Sequence, residues 1–158
     1  LPERIKCQIS MPEMTWGCEE IAKFNKQTFP ALIKSLIVVD GDFDKKDYNK
    51  HNLLILPGNS SPEGIIYSFL KDLPPEHELL NGSVINKRTL EDYGPFSPKY
   101  AEQKKDREKY KKWFRDNSEF LMDLNVISFW IKDNKNEIEI FISKFQNKLT
   151  NIKAMRRS

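Results

Sequence analysis

The residues best suited to chemistry are Asp40 and Asp42, two carboxylates separated only by Gly41. They close Ser35-Leu-Ile-Val-Val-Asp40, a short apolar run rich in β-branched residues. Such a run reads as a strand buried on both faces of a parallel sheet, and open α/β sheets bind their ligands beyond the carboxyl ends of their strands. Two carboxylates turned toward one cavity repel each other unless a hard cation lies between them, which makes Mg²⁺ or Mn²⁺ the natural occupant. The plain alternative is an acidic turn that merely ends a strand, because Asp and Gly both favour turns.

A third carboxylate, Glu63, comes after the next apolar run. Asn52-Leu-Leu-Ile-Leu-Pro57 repeats the first run and passes into Gly58-Asn-Ser-Ser-Pro-Glu63. Ser60 or Ser61 can cap a helix there, Pro62 suits its first position, and Glu63 favours the positive end of the helix dipole. The two runs predict adjacent inner strands, with Glu63 near the sheet edge that carries the aspartates. Glu63 also has the simpler reading of an ordinary acidic residue in a first helical turn.

Positive charge gathers further along. Between positions 99 and 115 stand Lys99, Lys104, Lys105, Arg107, Lys109, Lys111, Lys112 and Arg115 against Glu102, Asp106 and Glu108. Helical spacing puts Lys104, Arg107 and Lys111 on one face that could meet phosphate, and Phe114 continues that line. Lys111 and Arg107 are therefore the candidates for a basic catalytic role, with Lys104 and Lys112 for nucleic-acid contact. A solvated helix face explains the same charges without chemistry. His51 and His77 share no motif and read as loop residues.

These residues need elements to position them. Residues 4–9 alternate as a half-buried strand, and 16–28 read as an amphipathic helix ending before Pro30. Phe43 to His51 has room for one helical turn. Ile65, Ile66, Phe69 and Leu70 give the helix after Glu63 an apolar face, stopped by Pro74-Pro75. Residues 76–98 show no clear period and read as a connection with a short strand near Val84. Helices are predicted over about 99–116, 118–132 and 136–153. In the last of them Ile138, Phe141, Ile142, Phe145, Leu149 and Ile152 form a stripe suited to core or interface packing. Trp16, Trp113 and Trp130 read as packing anchors. The expected organisation is an α/β core over 1–85 and a helical region over 86–158.

Composition sets the outer limits. A chain of 158 residues with 26 basic and 23 acidic side chains, net +3, supports one compact domain and lacks the overall charge of a dedicated nucleic-acid binder. Cys7 and Cys18 have no matching histidine pair and no disulfide framework, so both read as structural thiols in a reducing cytoplasm. No apolar run approaches the roughly 20 residues that span a bilayer. The chain starts at Leu1 and Pro2, which reads as a piece of a longer protein.

Leu36-Ile-Val-Val-Asp-Gly-Asp42 resembles the DxD strand of the TOPRIM domain, and Asn52-Leu-Leu-Ile-Leu-Pro-Gly58 with Ser61-Pro-Glu63 is similar to the next strand and loop of OLD-family nucleases fused to ABC-type ATPase domains. The resemblance covers about residues 1–75 well and the helical part only through Arg107 to Trp113. It implies a Rossmann-like TOPRIM parallel sheet and Mg²⁺- or Mn²⁺-dependent hydrolysis of DNA phosphodiesters. Asp40 and Asp42 would take the DxD role, Glu63 the later acidic role, and Lys111 the basic role. It further implies an ATPase domain in the same parent chain, homo-oligomerisation and a part in bacterial defence against phage. The pattern's early glutamate has no match, since Glu3 follows no strand and Glu13, Glu19 and Glu20 fall in a turn or helix.

Two other readings fit the same residues. A HAD-like phosphatase or phosphotransferase also sets an Asp-x-Asp after a buried strand, with the first Asp as nucleophile, but the threonine expected soon after that pair is missing. A catalytically inactive TOPRIM-like module would use the stripe at 138–152 for assembly.

Overall fold

The computed structural model describes residues 35–43, 52–81 and 86–157. Over these residues the chain is α/β, a two-stranded parallel sheet followed mostly by helices. Strand β1 spans Ile37–Val39 and β2 spans Leu53–Ile55, with Ile37 opposite Leu53 and Val39 opposite Ile55. The two apolar runs thus pair in parallel as neighbours. Ile37, Val39, Phe43 and Leu53 form a small core, with Ile55 against it. Val38, on the opposite face of β1 from Ile37 and Val39, is 42% exposed, so among the described residues burial is seen on one face of this strand.

The helices are α1 (Pro62–Asp72), α2 (Lys87–Tyr93), α3 (Asp106–Asp123), α4 (Val126–Asp133) and α5 (Lys135–Arg157), with a 3-10 turn at Pro98–Tyr100. Helix α1 starts as its sequence dictates. Ser61 caps it by accepting from the Gly64 amide at 3.3 Å, and Pro62 opens its first turn, where the missing amide proton costs nothing. Before the paired prolines it ends with the Leu73 amide donating to Phe69 O at 3.1 Å.

The larger core joins α1 to the helices behind it. Ile66, Tyr67 and Leu70 of α1 pack with Leu90 of α2, Trp113 and Leu121 of α3, and Val126 of α4. One cluster therefore runs across position 85. Trp113 is the anchor expected of it, 4% exposed, with its ring 5.4 Å from that of Tyr67 at 76°. Ile66 and Leu70 lie in this core while Ile65 and Phe69 are half-buried, so the apolar face of α1 is centred one position later than its hydrophobic residues alone suggest.

Three boundaries differ from the sequence pattern. The predicted helix from Lys99 starts only at Asp106, because Pro98–Tyr100 forms a tight 3-10 turn and Lys105, at φ −108° and ψ 139°, is the extended residue ahead of the helix. The same helix runs on through Ser118 to Asp123. A left-handed Asn125, φ 54°, then separates it from α4, which begins at Val126 and not near 118. Helix α2 lies where the sequence pattern predicts a connection. Its only buried side chain is Leu90, but Asn86 and Thr89 form a reciprocal capping box that fixes its start.

In α5 the apolar stripe is graded. Ile152 is buried, Phe141 and Phe145 are half-buried with rings 6.3 Å apart, and Ile142 is 46% exposed. The expected strand at 4–9, the helix at 16–28, the turn within 44–51, the strand near Val84, both cysteines, Trp16 and His51 lie outside the described residues.

Candidate metal site at the carboxyl end of strand β1

The turn after β1 is laid directly on the turn after β2. A Cβ at Gly41 would stand 2.8 Å from Ser60 O and 3.0 Å from the amide nitrogens of Asn59 and Ser60. All three are backbone atoms, which cannot swing aside as a side-chain tip does. Gly41 thus does more than let two carboxylates turn; it lets the acidic turn press against the loop leading into α1. Gly41→Ala is expected to lower stability by about 1–3 kcal/mol, the usual cost of overpacking, as read from the urea midpoint. An unchanged midpoint would contradict this close approach.

The second loop is itself held in place. Gly58 takes φ +97° and Asn59 φ 52°, and a Cβ on Gly58 would run into the Ile65 side chain, close to Trp130. The Gly58 amide donates to Glu137 Oε1 of α5 at 2.9 Å, across 79 residues of sequence. Glu137 carries no signal in the sequence, since an acidic residue in a first helical turn is common.

Asp40 lies at the end of β1 and meets Arg107 of α3, whose Nη2 donates to Asp40 Oδ2 at 3.1 Å. The contact spans 67 residues of sequence. It is half in water, with side chains 29% exposed for Asp40 and 50% for Arg107. Asp42 is exposed beside it in the turn. Glu63 lies in the first turn of α1, with Oε2 buried and no hydrogen-bond partner among the described residues.

The other basic candidates do not converge in the same way. Lys104 precedes α3, so the three-and-four spacing that puts it with Arg107 and Lys111 does not apply to it. Lys111 is exposed on α3, and Phe114 at the next step of that line turns into the core. Lys112 adds positive charge in the neighbourhood of Asp116. The Asp116 carboxyl sits below the usual carboxylate range chiefly because Lys99 hydrogen-bonds to it, with Tyr100 and the charge of Lys112 adding. Lys99 Nζ stands 3.2 Å from Asp116 and the Tyr100 hydroxyl donates to it at 3.3 Å, which ties the 3-10 turn to α3.

His77 is a loop residue, as expected. Its Nδ1 accepts from the Leu79 amide at 3.2 Å and its ring meets Phe129 edge-on.

Hard oxygen donors are what Mg²⁺ and Mn²⁺ take, and Mg²⁺ is commonly held by one or two carboxylates, with water and substrate phosphate completing its shell. The adjacent Asp40 and Asp42 suit that chemistry, and the orphaned Glu63 Oε2 is an acceptor in want of a donor or cation. Among the described residues no three His, Cys, Asp or Glu side chains come together as a metal-holding group, so Asp40, Asp42 and Glu63 are not gathered into one ligand set. A groove of about 430 Å³ lies elsewhere, between β2 and α5, lined by Leu54, Leu56, Pro57, Ile140, Phe141 and Lys144 among others. Among the described lining residues its one carboxylate is Glu137, which already holds the Gly58 amide.

No protein family, curated protein or solved structure matches this chain. No helix among the described residues is long and apolar enough to cross a membrane.

Proposed function

We propose that this chain is the metal-binding part of a TOPRIM-like nuclease that hydrolyses DNA phosphodiesters with Mg²⁺ or Mn²⁺. The observation that supports this reading most is the meeting of Asp40 with Arg107. A carboxylate at the carboxyl end of a parallel strand and a guanidinium from a distant helix, each suited to one half of phosphoryl chemistry, share one spot 3.1 Å apart.

Asp40 and Asp42 would hold the cation, and Glu63, which is not gathered with them, would take the later acidic role that the resemblance implies. A divalent ion bound there supplies charge neutralisation at the scissile phosphate and a water of lowered pKa. Arg107 neutralises Asp40 in the metal-free protein. Were a cation to neutralise Asp40 instead, the planar fork of Arg107 could bind a phosphate group in two-point geometry, which a lysine cannot reproduce. This favours Arg107 over Lys111 as the principal basic residue. An OLD-like parent chain with an ATPase domain fits the resemblance of the strand and loop motifs.

The role of Arg107 separates this reading from an ordinary surface ion pair. Arg107→Ala is expected to lower metal-dependent cleavage about a hundredfold, the scale on which loss of one positioned donor acts, and Arg107→Lys to recover only part of it. Because a half-exposed pair is worth at most about 1 kcal/mol, the denaturation midpoint should barely move. Cleavage at the wild-type rate in both variants would remove Arg107 from the mechanism.

A further inference from the structure

Phe96 lies in the turn between α2 and the 3-10 helix and is 49% exposed, although it is held by a rigid aromatic frame. Its ring meets Tyr110 at 5.3 Å and 87°, and Tyr67 at 5.9 Å and 61°. The turn beneath it is fixed by the Ser97 amide donating to Gly94 O at 3.0 Å and by a fully buried Pro95. Tyr93, at the end of α2, is 66% exposed. A half-exposed ring held by two neighbouring rings needs little further ordering to meet a flat partner.

Charges of both signs lie around it, with Glu91 acting on Tyr67 and Asp106 on Tyr110. Lys109 Nζ stands 5.4 Å from the centre of the Phe96 ring. Lys104 and Lys105 are exposed on the segment leading into α3 and have no acidic partner among the described residues. The nearby acids are partly engaged: Asp106 pairs with Lys109 at 3.7 Å and Asp92 with Arg88 at 3.5 Å. Exposed rings interleaved with lysines match the two demands of single-stranded nucleic acid, a π-face for unpaired bases and positive charge for the backbone. A duplex keeps its base faces stacked inside and has no use for such a ring.

We propose that the Phe96 turn and the start of α3 bind single-stranded nucleic acid, with a base stacked on Phe96 and phosphates at Lys104 and Lys105. Helix α3 carries both Lys109 and Arg107, but residues two apart lie on nearly opposite faces of a helix, so this surface is separate from the contact of Arg107 with Asp40 and does not rest on the nuclease reading.

The test is fluorescence anisotropy of labelled oligothymidylate and of a mixed-sequence duplex of equal length, in EDTA at low salt, with the whole chain. The wild type should prefer the single strand by about tenfold or more. Phe96→Leu, which keeps apolar packing against Tyr67 and Tyr110 but removes the π-face, should weaken binding about tenfold, and Phe96→Trp should retain it. Equal affinity of wild type and Phe96→Leu, equal affinity for duplex, or no binding of oligothymidylate would each overturn the proposal. The last outcome would leave a protein-docking patch instead. Since EDTA removes any metal, weakened binding in Phe96→Leu together with no cleavage under any cation would retain the surface and discard the nuclease reading. The converse pair of results would discard the surface alone.

Discussion

Asp40→Ala and Asp42→Ala are each expected to lower Mn²⁺-dependent DNA cleavage about a thousandfold, roughly 4 kcal/mol of transition-state stabilisation. The size reflects how little a two-carboxylate site can spare. With one ligand gone, a hard cation is left with a single protein oxygen and its residence falls below what a turnover needs. Folding should survive, because Asp42 is exposed and Asp40 makes only a half-solvated pair with Arg107. Asp116→Asn is a matched control. Its side chain is 28% exposed against 29% for Asp40, and it too is ion-paired, with Lys99, yet it has no part in the proposed site. Equal losses in Asp40→Ala and Asp116→Asn would mean that the effect is structural. Undiminished cleavage in both aspartate variants would end the metal-site assignment.

Trp113→Ala should destabilise the fold by about 3–5 kcal/mol, a large share of the roughly 5–15 kcal/mol typical of a domain. Trp113 is nearly fully buried among Ile66, Tyr67, Leu70, Tyr100, Leu121 and Val126, so removing its indole leaves a void between α1 and α3 that helices cannot close without moving. The consequence reaches the site, since α3 also carries Arg107 and its seating on α1 sets where that guanidinium arrives. Thermal unfolding should fall by about 6–20 °C, using the scaling for chains of this size. A midpoint within about a degree of the wild type would show that the core is not organised around this ring.

The parts of the fold that sequence makes legible are those written in local chemistry. The apolar runs ending at Asp40 and Pro57 form adjacent parallel strands, and Ser61-Pro62-Glu63 forms a capped helix start, because each signal sits within the element it specifies. Helix α2 is hard to read because seven residues with one buried leucine have almost no period, although Asn86 and Thr89 mark its beginning. The helix expected from Lys99 shows the opposite error. A run of lysines is compatible with a helix without causing one, and Pro98 with the extended Lys105 decides the boundary.

For the candidate site, sequence offers residues and not their geometry. Asp40 and Arg107 can each be singled out by residue type and position, but nothing local foretells a contact across 67 residues or selects Arg107 over Lys111 and Lys104. In the sequence Gly41 gives freedom to the aspartates, whereas its tightest constraint is the backbone of Asn59 and Ser60, which belongs to another loop. The aromatic frame around Phe96 is equally non-local, drawing Tyr67 from α1 and Tyr110 from α3.

The most direct test of the central claim is a Mn²⁺ titration of the protein followed by paramagnetic broadening of its backbone amide signals. Selective loss of the signals of Asp40, Gly41 and Asp42 at sub-millimolar Mn²⁺, abolished in Asp40→Ala, is the result the metal-site account predicts, and broadening that extends to Glu63 would add that residue to the site. Broadening centred on other residues, or none at these three at millimolar Mn²⁺, would contradict it.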